Sequence, residues 1–223
     1  AAGGLGIDVT STFLQHGWHV QAVCRTETQS NDLRARCIDY GDQLAVCTAD
    51  LTLEEHAQHC VETAAHPLKA LVHLVGGYAG GSPVEETPLE TLEAMLTTHV
   101  RTTFLMMRAV LPELKKQGGS IVTFGAKPVL HPAPNKAAYA LAKAAVASLT
   151  QSVAEEGRPY GVRANCILPD VIVTPANLSW GSPEDIKKWT KPEDIASAIL
   201  FLCSDAAAGI SGALLPMFGQ LPA

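Results

Sequence analysis

The chain has 223 residues, 47% of them apolar, 17% charged and only 5% aromatic, with 18 Gly and 14 Pro. That suits one domain with a sizeable core and excludes a disordered chain. A net charge of −6 with no Lys/Arg-rich run argues against nucleic acid as a partner. The longest nearly apolar stretch, Ile195 to Cys203, is far below the ~20 residues that span a bilayer. The opening AAGGLGIDV lacks the positive region of a secretory signal, and the first basic residue is Arg25. Six scattered cysteines with no C-x-x-C pair point to a reduced, cytosolic setting. His56, His59 and Cys60 read as a polar helix surface, so no metal is expected.

Short apolar runs alternate with longer amphipathic stretches, the pattern of βαβ units around a parallel sheet. In chain order, a helix is predicted over Ile7–Gln15 and strands over His19–Cys24 and Leu44–Thr48. A helix over Glu54–Ala64 and a strand over Ala70–Val75 follow, then one long helix over Leu89–Lys116. After these come the strand Ser120–Gly125, the helix Ala137–Glu156, the strand Val162–Leu168, the helix Pro192–Cys203 and the strand Ala213–Phe218. The fold class is therefore α/β, a Rossmann-type doubly wound parallel sheet in a three-layer αβα sandwich, with residues 1–223 forming one nucleotide-binding domain. A glycine turn like AAGGLG normally follows a strand, and none precedes it here. The expectation is that the first, central strand is missing from this chain.

Closely spaced glycines ahead of a helix let backbone N–H groups approach a pyrophosphate at the helix N-terminus. Gly3, Gly4, Leu5 and Gly6 supply that turn. Asp50 and Leu51 close the second strand of the chain, and Val75-Gly76-Gly77 close the third. These are carboxyl ends of parallel strands, where open α/β sheets bind ligands. At the end of the first strand, Val23-Cys24-Arg25-Thr26 lacks the carboxylate that selects NAD by holding the ribose hydroxyls. Arg25 can meet a 2′-phosphate instead, so NADP(H) is favoured, with NAD(H) as the alternative.

Tyr139 and Lys143 are four residues apart, hence on one helical face. A phenol titrates near ~10 in water, and a neighbouring ammonium together with a cationic nicotinamide favours its ionised form. The pair can therefore deliver a proton to a substrate atom while hydride reaches the adjacent carbon.

Taken together, AAGGLG, Asp50 after a strand, VGG at 75–77, Tyr139-x-x-x-Lys143, and Pro169 with Thr174 resemble the short-chain dehydrogenase/reductase family over essentially the whole chain. The resemblance implies a single Rossmann-type domain with seven parallel strands, one of them lacking here, and hydride transfer with NAD(P). It also implies a small-molecule substrate and a homodimer or homotetramer built through the helices that carry His99 and Tyr139. Asp50 and Leu51 would line the adenine, and Pro169 through Thr174 would hold the nicotinamide amide. The catalytic group would be Tyr139, Lys143 and His99.

Three positions depart from the family pattern. The usual serine, thirteen residues before the tyrosine, is Ala126. The helix asparagine that holds a relay water corresponds to His99, which can either replace it or simply pack beneath the cofactor. Asn-Asn-Ala-Gly corresponds to His73-Leu74-Val75-Gly76. VGGYAGG (75–81), FGAKPVL (124–130), TPAN (174–177) and WTKPED (189–194) are similar to the dihydropteridine reductase branch, which also carries alanine at the serine position. That similarity implies an already electrophilic, conjugated C=O or C=N substrate. Residues 175–191 fall where the family carries a substrate lid, with Trp180 able to stack on a flat ring or to anchor the segment.

Overall fold

A computed structural model describes residues 1–222. The apolar runs form β1 (Val20–Cys24), β2 (Leu44–Thr48), β3 (Ala70–Val72), β4 (Gly119–Phe124), β5 (Val162–Pro169) and β6 (Leu214–Met217). All pairings are parallel, in two sheets: β1 with β2, and β3-β4-β5-β6. The helices are α1 (Gly4–Gln15), α2 (Glu27–Arg36), α3 (Glu54–Glu62), α4 (Leu89–Met95), α5 (Thr102–Leu114), α6 (Ala137–Gly157), α7 (Pro175–Leu178), α8 (Pro183–Ile186) and α9 (Pro192–Cys203).

The alternation of side chains along β4 builds the layers. Ile121 packs with Met107, Leu114 and Val153 from α5 and α6 on one face. Its neighbours Val122 and Phe124 pack with Phe13 of α1 and Ile195 and Ile199 of α9 on the other. Because β4 and β5 are covered on both faces, they read as continuous apolar runs.

Between β1 and β3 the sheet is interrupted. Each strand has one unpaired edge facing a cavity of about 1030 Å³, lined by both strands and by Met106 and Val110 of α5.

Four elements differ from the sequence-based expectation. Helix α1 begins at Gly4 rather than Ile7, so most of the glycine turn is its first turn. Helix α2 has no predicted counterpart, because it buries only Ser30 and Leu33 and carries no apolar stripe. It is held instead by its ends: the Thr26 hydroxyl accepts from the Gln29 N–H, Glu27 lies at the positive end, and Arg34 and Arg36 at the negative end. The long helix predicted over Leu89–Lys116 is broken by a π-helical segment, Leu96–Arg101, between α4 and α5. Finally, β3 ends at Val72 rather than Val75, leaving 73–77 as extended chain at the sheet's rim.

Candidate active site

Helix α6 starts AAYALAKAA, and its small residues let it lie close on β4 and β5. That approach buries Lys143, whose Nζ donates to the Phe124 carbonyl at 2.9 Å. One turn earlier, the Tyr139 ring sits with its centroid 5.8 Å from that Nζ. Tyr139 makes edge contacts with His99 (5.7 Å) and Tyr78 (5.1 Å). Burial pushes the Lys143 ammonium down to about 8. Burial also pushes the Tyr139 phenol up to about 12, with Tyr78 and Asp170 adding to the effect. Sequence alone predicts a lowered phenol pKa from the neighbouring lysine. In this structure the direction is upward, because desolvation is the largest influence on the phenol.

The π segment explains how His99 reaches the pair. The hydroxyls of Thr102 and Thr103 donate back to the carbonyls of Thr98 (2.7 Å) and His99 (2.6 Å), loosening the regular ladder. His99 Nε2–H donates to the Gly77 carbonyl at 2.9 Å, which leaves Nδ1 as a bare lone pair. That Nδ1 is buried with no partner. Gly76 makes this approach feasible, since a Cβ there would lie 3.1 Å from His99 Cε1. Burial, reinforced by Lys143, holds the His99 imidazole neutral down to about 4. Behind it, His73 Nε2 lies 3.1 Å from the Thr102 hydroxyl, and burial lowers its pKa to about 3.

The nucleotide-side residues converge on the same rim. Gly3 caps α1 without a side chain, and no acidic residue occupies the first turn, so that helix end is open to an anion. A Cβ on Gly4 would lie 3.1 Å from that of Thr174, which shows how tightly the turn meets the segment after β5. Gly3, Gly4, Leu5, Gly6, Arg25, Asp50, Leu51, Val75 and Gly76 all line the cavity described above. Gly77 joins them through His99 and Thr174 through Gly4, whereas Pro169, buried at the end of β5, lies outside that lining. The Asp50 carboxylate accepts from the Thr52 N–H (3.0 Å) and hydroxyl (2.8 Å), which hold it below the usual carboxylate range. A bare helix N-terminus, close-approach glycines and an exposed Arg25 after β1 suit a dinucleotide phosphate chain.

Ala126 is buried, and the next residue, Lys127, bonds Asp170 at 3.0 Å. Trp189 is buried, while Trp180 stays 64% exposed with its ring 4.9 Å from that of Trp189. Sequence reasoning gave no role to Tyr78 or Asp170. An aromatic directly after the glycine pair of VGGYAGG was the available signal for Tyr78.

A parallel α/β sandwich with a nucleotide-type glycine turn and a Tyr-x-x-x-Lys helix at one rim defines a class of dinucleotide-dependent oxidoreductases. Comparison with known proteins makes the assignment definite. A family profile described as enoyl-(acyl carrier protein) reductase matches residues 1–217. The 7α-hydroxysteroid dehydrogenase of Escherichia coli is 29% identical over 230 residues, covering 98% of this chain and 90% of that protein. The 2-(R)-hydroxypropyl-CoM dehydrogenase of Xanthobacter autotrophicus is 30% identical over 241 residues, covering 100% and 96%. Among solved structures, the 3-ketoacyl-(acyl-carrier-protein) reductase of Brucella melitensis complexed with NADH superposes with a TM-score of 0.88 at 26% identity, covering 99% and 96%. The chain belongs to the short-chain dehydrogenase/reductase family, and its general chemistry is nicotinamide-dependent oxidoreduction.

Proposed function

We propose that this protein reduces an activated or conjugated C=O or C=N with NAD(P)H, Tyr139 donating the proton. The observation that carries the reading is the buried Tyr139–Lys143–His99 cluster, which Gly76 joins to the cavity lined by the glycine turn. A bound nicotinamide would supply the hydride. A phenol held near 12 stays protonated at neutral pH, which is the state a reductase needs in its acid. Lys143, desolvated and anchored to the Phe124 carbonyl, places a positive charge beneath that phenol and steadies it as it loses its proton. Ala126 offers no hydroxyl to polarise an ordinary ketone, which favours a substrate that is already electrophilic. The narrower likeness to dihydropteridine reductases points the same way and puts a quinonoid dihydropterin in the test panel. Arg25 favours NADP(H) over NAD(H), and residues 175–191 serve as the lid. A cytoplasmic homodimer or homotetramer completes the reading, supported by half-exposed Phe104 and Leu141 on α5 and α6.

The buried Ala126 also favours a second reading, a nucleotide-binding sensor or subunit with little catalysis. Quinonoid dihydropterin, quinones and β-keto thioesters with NADPH separate the two. Turnover that falls about 10²-fold or more in Tyr139→Phe, with cofactor affinity unchanged, supports the reductase. Cofactor binding without turnover of any of these classes supports the sensor.

A further inference from the structure

Cys47 lies on β2 and Cys60 on α3, outside the Tyr139–Lys143–His99 cluster, with Cys60 on the wall of the cavity beside β1. Their Sγ atoms are 3.0 Å apart, the one sulfur–sulfur contact among the described residues. A disulfide needs about 2.05 Å, so closing the bond takes roughly 1 Å of side-chain movement. Both partners are held in place. Cys60 is buried in the cluster that joins α3 to α5, and Cys47 packs against that cluster from the strand. The Cys60 carbonyl accepts from Gln21 Nε2 at 2.6 Å, tying α3 to β1. Of the two, Cys47 is the half-exposed one, open to a small oxidant. Cys24, Cys37, Cys166 and Cys203 are buried.

We infer that Cys47 and Cys60 form a modification site, a thiol pair that a peroxide converts into an intramolecular disulfide joining β2 to α3. The Cys47 thiolate attacks one peroxide oxygen, breaking the O–O bond and giving a sulfenic acid and hydroxide, which takes up the proton lost by Cys47 to become water. The Cys60 sulfur then attacks the Cys47 sulfur. The S–S bond forms, the S–O bond breaks, and the departing oxygen carries off the Cys60 proton as a second water. Two thiols are oxidised by two electrons in all, and one peroxide is reduced to two waters. Burial and the contact with Cys47 push the Cys60 thiol up to about 12, so Cys60 acts as the resolving partner and Cys47 as the attacked one. The new bond brackets the Asp50–Thr52 turn, which lies between the two cysteines in the chain.

The test is hydrogen peroxide treatment of the purified chain, followed by intact mass and non-reducing digestion at Asp and Glu. Asp50, Glu54 and Glu55 separate the two cysteines, and Asp39 and Asp42 separate Cys47 from Cys37. The expected result is a loss of about 2 Da on a monomeric chain, two fewer titratable thiols, and a Cys47 peptide linked to a Cys60 peptide that dithiothreitol releases. In Cys60→Ser the link disappears and a dimedone-reactive sulfenic acid accumulates at Cys47. Linkage through any other cysteine, oxidation of Cys47 straight to the sulfinic acid in the unaltered chain, or two separately alkylated thiols after treatment would overturn the inference. None of these readouts needs turnover, so their failure leaves the reductase reading untouched.

Discussion

The two sheets of this molecule are built to different standards. In the four-stranded sheet, β4 and β5 are buried almost throughout, and the Tyr139–Lys143 pair rests on them through an Ala-rich helix. In the β1–β2 pair, burial is patchy, the covering α2 is polar, and Arg25 and Asp50 lie exposed at the strand ends. In the proposed function, the proton donor takes a fixed, dry position and the residue that chooses between two soluble nucleotides takes an exposed one. The difference in packing therefore follows the difference in task.

The largest expected effect separates turnover from stability within the well-packed half. Lys143→Met removes a buried ammonium that is costly to desolvate, so the thermal midpoint holds or rises while kcat falls about 10²-fold or more. Parallel loss of both would make Lys143 structural. Acid titration comes next. The unfolded chain protonates His73 and His99 near ~6.5, but the folded protein resists until about 3 and about 4. Between those values the unfolded state binds more protons, so stability is intact above 6.5 and is lost as pH falls through the folded values. Each histidine contributes on the order of 3 kcal/mol to that loss. Denaturant midpoints from pH 7 to 4 should show a steep acid limb that His99→Asn makes shallower.

In the looser half the effects are smaller and more selective. Arg25→Ala should weaken NADPH by ~1–3 kcal/mol and leave NADH nearly unchanged, as measured by quenching of tryptophan fluorescence. Equal losses would assign the arginine to the shared pyrophosphate rather than the 2′-phosphate. Smallest of all, Thr26→Ala deletes the cap of α2 and should cost about 1 kcal/mol in chemical denaturation. A much larger cost would mean the β1–β2 pair is more tightly coupled to the core than its packing suggests.

What could be read from sequence cuts across that division. The buried strands announce themselves as apolar runs bounded by Gly and Pro, and Tyr139-x-x-x-Lys143 by its helical spacing. Helix α2 escaped because its stability lies in its caps rather than in a stripe. The π segment escaped because a threonine hydroxyl donating to the carbonyl four residues back is open to any helix threonine and leaves no distinctive pattern in the sequence. The upward pKa of Tyr139 depends on how deeply α6 settles on the sheet. The meeting of Cys47 with Cys60 depends on how α3 packs over β2. Both are products of tertiary packing and leave no local signature.

Trp180, exposed with its ring 4.9 Å from that of buried Trp189, makes tryptophan emission a built-in reporter on the segment from 175 to 191.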